Sequence, residues 1–420
     1  MTMDILYFVP YAPTSIRTRP YHLIRYLAER GHSITLATCW ENSAEEDALE
    51  FFESIGVSVL SFPLGSFHIL RNLLQAVLSG IPMQMRYSWQ PALARQLMEH
   101  LGEHKYDVIH IEHFRGAEYG LKIKKRLDEL NLKTPIVWDS VDCISHLFEQ
   151  ASCNSRSYFG KWVTRFELRR TRRWEADLIS QFDRVLVTSP VDKQALEHLN
   201  GDAVQDHIVV LPNGVDLEYF TPQDTPRKET SIVFSGKLSY HANITAALYL
   251  VNEIMPLVWK KKPQVQVFLA GKDPDPKISA LARRDARVKV TGTVEDLRPF
   301  LREASLAVAP MLYGAGIQNK VLEAMACGTP VVATPLAVSA LGSSRSGEEI
   351  VIARNSVEFA NSILKIIGDK EFGSILGLKG YTFVHENFRW ADVIYGLEMI
   401  YNDLIKEKFA NNLEVAGSYS

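Results

Sequence analysis

Along this chain, short apolar runs alternate with longer segments in which apolar residues recur every three or four positions. The first rhythm belongs to buried strands and the second to amphipathic helices, so their alternation predicts strand–helix units around a parallel sheet. Residues 5–9 read as the first strand, and 22–29 as part of a helix stopped at Gly31. Runs at 33–38, 57–62, 107–111, 136–138, 184–187 and 208–211 continue the series. Pro212-Asn213-Gly214-Val215-Asp216 and the stretch after it carry turn formers without apolar periodicity, the mark of a linker over 213–229. The rhythm restarts at 231–235, 264–270, 288–290, 306–309 and 330–333. The expected class is α/β: two Rossmann-like, doubly wound domains, 1–212 and 230–385, facing across a cleft. Ligands of such folds gather at the carboxyl ends of the strands. Trp390, Val393, Ile394, Leu397, Ile400, Tyr401 and Leu404 have helical spacing, which predicts a crossover helix within 386–410 that packs back toward the first domain. The polar residues 411–420 are expected to be a disordered tail.

Composition narrows the field. The 420 residues are 46% hydrophobic and 23% charged, enough for two cores without metals or disulfides. A net charge of −3 speaks against a nucleic-acid partner, which needs a basic excess. Cys39, Cys143, Cys153 and Cys327 are scattered, with no CxxC or Cys/His cluster, which fits a reducing compartment. The first apolar run ends at Pro10 and Pro13, too short for a signal segment, and no stretch has the length of a membrane span. A cytoplasmic protein is expected.

The most informative segment is 313–334, YGAGIQNKVLEAMACGTPVVAT. A strand leads into a glycine-bearing loop, then a helix, then Gly328 and another strand. Gly314 and Gly316 let backbone N–H groups approach a ligand, and a helix N-terminus favours an anion. Lys320 and Glu323, three apart, share a helix face, where a cation suits a diphosphate and a carboxylate a ribose diol. The plainer reading is a surface ion pair, but Glu323 lies in the apolar run Val-Leu-Glu-Ala-Met-Ala, where a carboxylate needs a reason.

Residues 319–334, NKVLEAMACGTPVVAT, closely resemble the nucleotide-sugar motif of the family 4 glycosyltransferases, retaining enzymes of GT-B fold. Gly31-His32, the segment 107–113, LPNGVDLEYF at 211–220, Phe234-Ser-Gly-Lys237, 292–297 and 301–310 match in the same order, so the resemblance spans nearly the whole chain. It is similar above all to bacterial sugar transferases of exopolysaccharide gene clusters. The resemblance implies an acceptor-binding first domain and a donor-binding second one. It assigns His113, Lys237 and Lys320 to catalysis, and Gly236, Val294, Gly314, Gly316, Ile317, Gln318, Asn319 and Glu323 to the donor. His113 would reach the sugar, the lysines the phosphates, Glu323 the nucleotide, and the turn 292–294 the base through its backbone. His110, inside its strand, is expected to be core-packed. The implied partners are a nucleotide-sugar donor and a glycan, lipid-linked or small-molecule acceptor, with no cofactor and no metal.

Three departures stand out. The family's usual glutamate eight residues before Glu323 is Ala315 here, a second basic residue after Lys237 is missing, and the first loop lacks its glycine pair. Ala315 motivates an alternative, a catalytically silent protein that binds nucleotide-sugar or glycan, although a glutamate restored at 315 is expected to lower activity. No strand is followed by GxGxxG, which speaks against a dinucleotide enzyme. Asp273-Pro-Asp275 matches the Asp-x-Asp metal motif of the other glycosyltransferase fold but reads better as a strand-to-helix turn. Asn243 and Asp142 read as helix caps, and Asp139 as a cap or an acceptor contact. Lys161, Arg165, Arg169, Arg172 and Arg173 recur at near-helical spacing with Trp162, Phe166 and Trp174 between them. Such a face suits an anionic membrane or an acceptor phosphate, or is simply solvated and balanced by Glu167, Glu175 and Asp177.

Overall fold

The computed structural model describes the chain except residues 1, 155–157, 201–205, 224–225, 315, 343–345 and 418–420, and leaves the side chains of 152–164, 409 and 411–417 undescribed. Ala315, Cys153, Lys161 and Trp162 therefore lie outside the described side chains. Two compact units divide it, one of residues 1–212 with 390–420 and one of 213–389.

The first unit holds seven parallel strands: β1 (Asp4–Val9), β2 (Ser33–Trp40), β3 (Ser58–Pro63), β4 (Val108–Glu112), β5 (Ile136–Val141), β6 (Arg184–Val187) and β7 (Ile208–Val210). Their order is β3-β2-β1-β4-β5-β6-β7, so the winding reverses between β1 and β4. Ile5 pairs with Ile34 on one side and Val108 on the other. Both faces of the sheet are covered, which is why β1 reads as continuous apolar sequence. Leu6, Phe8, Ile109, Ile111 and Trp138 fill one core. Ile5, Tyr7, Val9 and Val137 fill the other, together with Trp390, Ile394, Leu397 and Tyr401 of the last helix.

The second unit holds β8 (Ser231–Ser235), β9 (Gln266–Ala270), β10 (Val288–Gly292), β11 (Leu306–Ala309), β12 (Val331–Ala333) and β13 (Val351–Ile352). The order β10-β9-β8-β11-β12-β13 reverses between β8 and β11. β13 has two half-buried residues, too short to leave an apolar run to read. Residues expected as a linker lie against this unit. Val215 is buried, and the Arg227 guanidinium donates to the carbonyls of Leu301, Arg302, Ala304 and Cys327.

The C-terminal helix differs from expectation at both ends. One helix ends at Asn387 and the next, Trp390–Gly417, begins three residues on. Between them the chain leaves helical bonding to pair with Val215, whose N–H donates to the Phe388 carbonyl at 2.8 Å. The backbone from 411 continues the helix to Gly417, with no glycine or proline between 397 and 416.

Candidate active site

In the second unit the site grows from the strand ends where the winding reverses. Gly236 follows β8 with φ +139, and its N–H donates to the Ala270 carbonyl at 3.0 Å. Gly271 follows β9, and a Cβ there would lie 1.8 Å from the Gly236 oxygen, so only glycine lets the two loops touch. A Cβ on Gly236 would lie 3.4 Å from Lys320 Nζ, so bare backbone meets the ammonium group.

Lys320 is in the first turn of the helix Asn319–Ala326, which no side chain caps. Its Nζ donates to Asn243 Oδ1, stands 3.7 Å from Met311 Sδ and lies 4.7 Å over the Phe234 ring. Burial lowers its pKa to about 8, against a partial pull upward by Glu323. Burial likewise raises Glu323 to about 7, and Lys320 pulls it back down. The two attract without reaching ion-pair distance, and no hydrogen bond to the Glu323 carboxylate occurs among the described residues. The plainer reading, a Lys320–Glu323 surface ion pair, is not what the structure holds.

The other expected donor residues divide. Gly314 (φ +157), Gly316 (φ +65), buried Ile317 and Gln318 form the loop entering this helix, and Gln318 O accepts its first bond from Val321 N–H. Asn319 Oδ1 accepts from Asn213 Nδ2 at 3.2 Å. Lys237 is exposed, and Val294 is half-buried in the loop after β10. Asn243 does not cap its helix, because it stands inside the first turn. Its amide instead bridges Lys320 and the Lys237 carbonyl. Asp275 caps the helix Pro276–Arg284 through Lys277 N–H, which accounts for Asp273-Pro-Asp275 as a turn. No three His, Cys, Asp or Glu side chains come together as metal ligands do among the described residues.

His113 belongs to the first unit, just past β4. Its φ of +64 with ψ of 155 is a conformation nearly reserved for glycine, and Val141, the last residue of β5, also has positive φ (+68). His113 N–H donates to the Asp139 carbonyl at 2.6 Å, and Nδ1 accepts from Arg115 N–H at 3.2 Å. With Nδ1 an acceptor, Nε2 carries the proton in the neutral ring. Burial, then Arg115, lowers its pKa to about 3. His113 is thus expected to stay neutral from pH 5 to 8, with no titration of its ring nitrogens in that range by NMR. Its folded value lies below the ordinary one, so the stability it contributes is present above pH 6.5 and lost as pH falls toward 3.

Behind His113 lies a buried polar network that the sequence reading largely missed. Arg19 Nε donates to Asp139 Oδ2 at 2.7 Å, and Arg19 Nη1 to the Leu211 carbonyl at 3.0 Å. His110, core-packed as expected, stacks on Tyr7 and pairs through Nδ1 with the Tyr401 hydroxyl at 2.7 Å. Burial opposes the charge on Asp139, yet Arg19 and His110 hold its pKa below the ordinary value. Burial raises the Glu112 pKa to about 8, and Tyr7 and Tyr11 donate their hydroxyls to it. The one signal was Glu112 beside His113 at the end of an apolar strand. Asp142 is not a cap either. It accepts from the Thr188 hydroxyl, while the amides of Cys143, Ile144 and Ser145 are taken by Asp192 and Glu175.

Comparison with known proteins agrees with this architecture. Residues 17–219 match the model of Glycosyltransferase Family 4, and 229–369 that of Glycosyl transferases group 1. A 44.6 kDa protein in the cps region of Klebsiella pneumoniae is 24% identical over 399 residues, 91% of this chain and 93% of that one. Phosphatidyl-myo-inositol mannosyltransferase of Mycobacterium tuberculosis is 29% identical over 160 residues, which cover 36% of this chain and 40% of that protein. Among solved structures, sucrose-phosphate synthase from Thermosynechococcus elongatus superposes with a TM-score of 0.70 at 17% identity, over 96% of this chain and 99% of that one. Anabaena HepE in complex with UDP-glucose gives 0.67 at 15%, over 96% and 100%. These structures establish the GT-B fold. The chain belongs to the family 4 glycosyltransferases, and it is a glycosyltransferase. That membership does not favour a silent sugar-binding protein.

Proposed function

We propose that this enzyme transfers a sugar with retention of configuration from a nucleoside-diphosphate donor to a glycan or lipid-linked hydroxyl, without a metal ion. The observation that carries the reading is the recess of Gly236, Lys320 and Glu323, where a lysine and a carboxylate stand together at a glycine-lined strand end without neutralising each other. Lys320 and Lys237 would hold the diphosphate, with the backbone around Gly236, Gly314 and Gly316 donating to its oxygens. Glu323 would accept from both ribose hydroxyls, and the loop at Val294 would line the base. Residues 317–319 would set the loop's path, and His113, neutral, would donate from Nε2 to the sugar.

In the reaction the bond from the anomeric carbon to the diphosphate breaks and a bond to the acceptor oxygen forms on the same face. The acceptor's proton passes to the departing diphosphate oxygen, so no carboxylate nucleophile is needed. The lysines act by stabilising charge that grows on the leaving oxygen.

A panel of UDP-, GDP- and dTDP-sugars tests this, scored by thermal stabilisation and slow donor hydrolysis. One donor class is expected to stabilise the protein and to be hydrolysed to the sugar with its original anomeric configuration, read by early-time proton NMR. Inverted product would remove the retaining mechanism. Excess chelator is expected to leave turnover within about twofold, since a fixed cation already faces the phosphate position. Complete loss, restored by Mn²⁺ or Mg²⁺, would make the enzyme metal-dependent.

A further inference from the structure

We propose that the first unit docks on an anionic lipid bilayer through one face of the helix Ser66–Ser79 and the basic face of the helix Tyr158–Ile179 beside it. This goes beyond the transfer reaction and does not depend on it.

The helix Ser66–Ser79 is turned the wrong way for a protein surrounded only by water. Its inward side is held by Asn72, whose Nδ2 donates to the carbonyls of Tyr87 and Trp89 at 3.1 and 2.7 Å, and by buried Ala76. Its outward side carries Phe67, Leu70, Leu74, Val77 and Leu78, of which Phe67 is 76% and Leu78 88% exposed. Spacings of three, four and seven place these five on one helix face. A single exposed leucine is ordinary, but five large apolar side chains on one face are an interaction surface.

The neighbouring helix says what covers it. Arg170 reaches from that helix to the carbonyls of Ala76 and Val77, and Trp174 Nε1 to that of Gly80, so the two helices are joined along this edge. Arg170 also stacks 4.2 Å over Phe166, an exposed ring that extends the apolar strip. Around it Arg165, Arg169, Arg172 and Arg173 are exposed, and Arg71 is exposed on the first helix.

The acidic residues Glu167 and Glu175, expected to balance this face, are buried and turned away from its exposed arginines. Glu167 accepts from Met83 N–H and pairs at 3.6 Å with Arg170, which is not one of the exposed arginines, and Glu175 accepts from Ile144 and Ser145 N–H. Only Asp177 remains exposed on the helix, and Glu149 offsets Arg172 through an ion pair at 2.7 Å. An apolar strip edged by arginines fits the headgroup boundary of an anionic membrane, where side chains such as Phe and Leu enter and Arg stays with the lipid phosphates. A second copy of this face would bring arginines against arginines, so charge favours lipid over self-association.

The test is flotation of the full chain with phosphatidylcholine vesicles, with and without 30 mol% phosphatidylglycerol. The wild type is expected to float with the anionic vesicles, and to be released as salt rises. Leu74→Asp/Leu78→Asp, both at exposed positions, is expected to abolish flotation with an unchanged melting temperature and unchanged donor hydrolysis. Arg169→Glu/Arg173→Glu is expected to weaken binding more than about tenfold, since each basic residue near such a surface contributes roughly fivefold. Three results would overturn the proposal: no flotation of the wild type at low salt, flotation that survives Leu74→Asp/Leu78→Asp, or a vesicle-independent dimer that this pair dissolves. Because donor hydrolysis is read on the same samples, loss of the membrane result leaves the transferase reading separately measured.

Discussion

Glu323→Gln is expected to weaken donor or nucleoside-diphosphate binding by roughly ten- to a hundredfold while leaving the protein folded. A carboxylate accepting from both ribose hydroxyls makes two charge-assisted hydrogen bonds, each worth about 1.5–3 kcal/mol. The glutamine keeps the shape but loses the charge and one acceptor, which converts to about 1.4–2.8 kcal/mol of affinity. Stability should move the other way. The folded pKa of about 7 lies above the usual carboxylate value, so the stability linked to this group is complete below about pH 4.5 and lost as pH rises through 7. The variant should therefore melt at or above the wild type at pH 8 and alongside it at pH 4. Wild-type affinity is expected to rise with pH through about 7 as Glu323 ionises, and to fall above about 8 as Lys320 loses its proton. The rising limb should be absent in the variant. Unchanged affinity beside a lower melting temperature would remove Glu323 from the site.

Arg19→Leu is expected to cost about 3–5 kcal/mol of stability, because it leaves Asp139 buried beside His110 without its cation. Replacing both partners, Arg19→Leu with Asp139→Leu, should recover much of the loss, since the uncompensated charge goes too. Asp139 has a folded pKa below its ordinary value, so the stability it contributes is present above about pH 4 and lost as pH falls below that. The gap between wild type and Arg19→Leu should accordingly be widest near neutrality and narrow in acid. Urea denaturation followed by tryptophan fluorescence at pH 7 and at pH 3.5 reads both effects. A difference below 1 kcal/mol at pH 7 would mean that water reaches Asp139.

What the sequence made legible follows from where the information is local. Strands buried on both faces write themselves as apolar runs, so β6, β8 and β11 have the boundaries that their residues predict. Glu323 was legible because a carboxylate inside an apolar helix stands out. Contacts between distant positions were not. Nothing near Lys320 announces that Asn243, 77 positions away, takes its ammonium group, nor that Arg19 crosses 120 positions to Asp139. Composition misled on the basic helix, because counting Glu167 and Glu175 as surface charge ignores that Glu167, Thr171 and Glu175, four apart, form its buried stripe. The bend after β4 and the last residue of β5, with His113 and Val141 at positive φ, lack the glycine that usually marks such a conformation.

The most direct measurement is a calorimetric titration of the preferred nucleoside diphosphate and of its bare nucleoside into wild type and Lys320→Met, with chelator present. The methionine keeps the length of the side chain and removes a half-buried charge, and Asn243 keeps its bond to the Lys237 carbonyl, so the fold should hold. The diphosphate is expected to bind the wild type at one site without metal, and the variant at least about thirtyfold more weakly, the effect of removing a partly buried cation from its anion. The nucleoside should bind both proteins alike. Equal affinity of the diphosphate for the two proteins would contradict the assignment of the Gly236–Lys320–Glu323 recess to the donor.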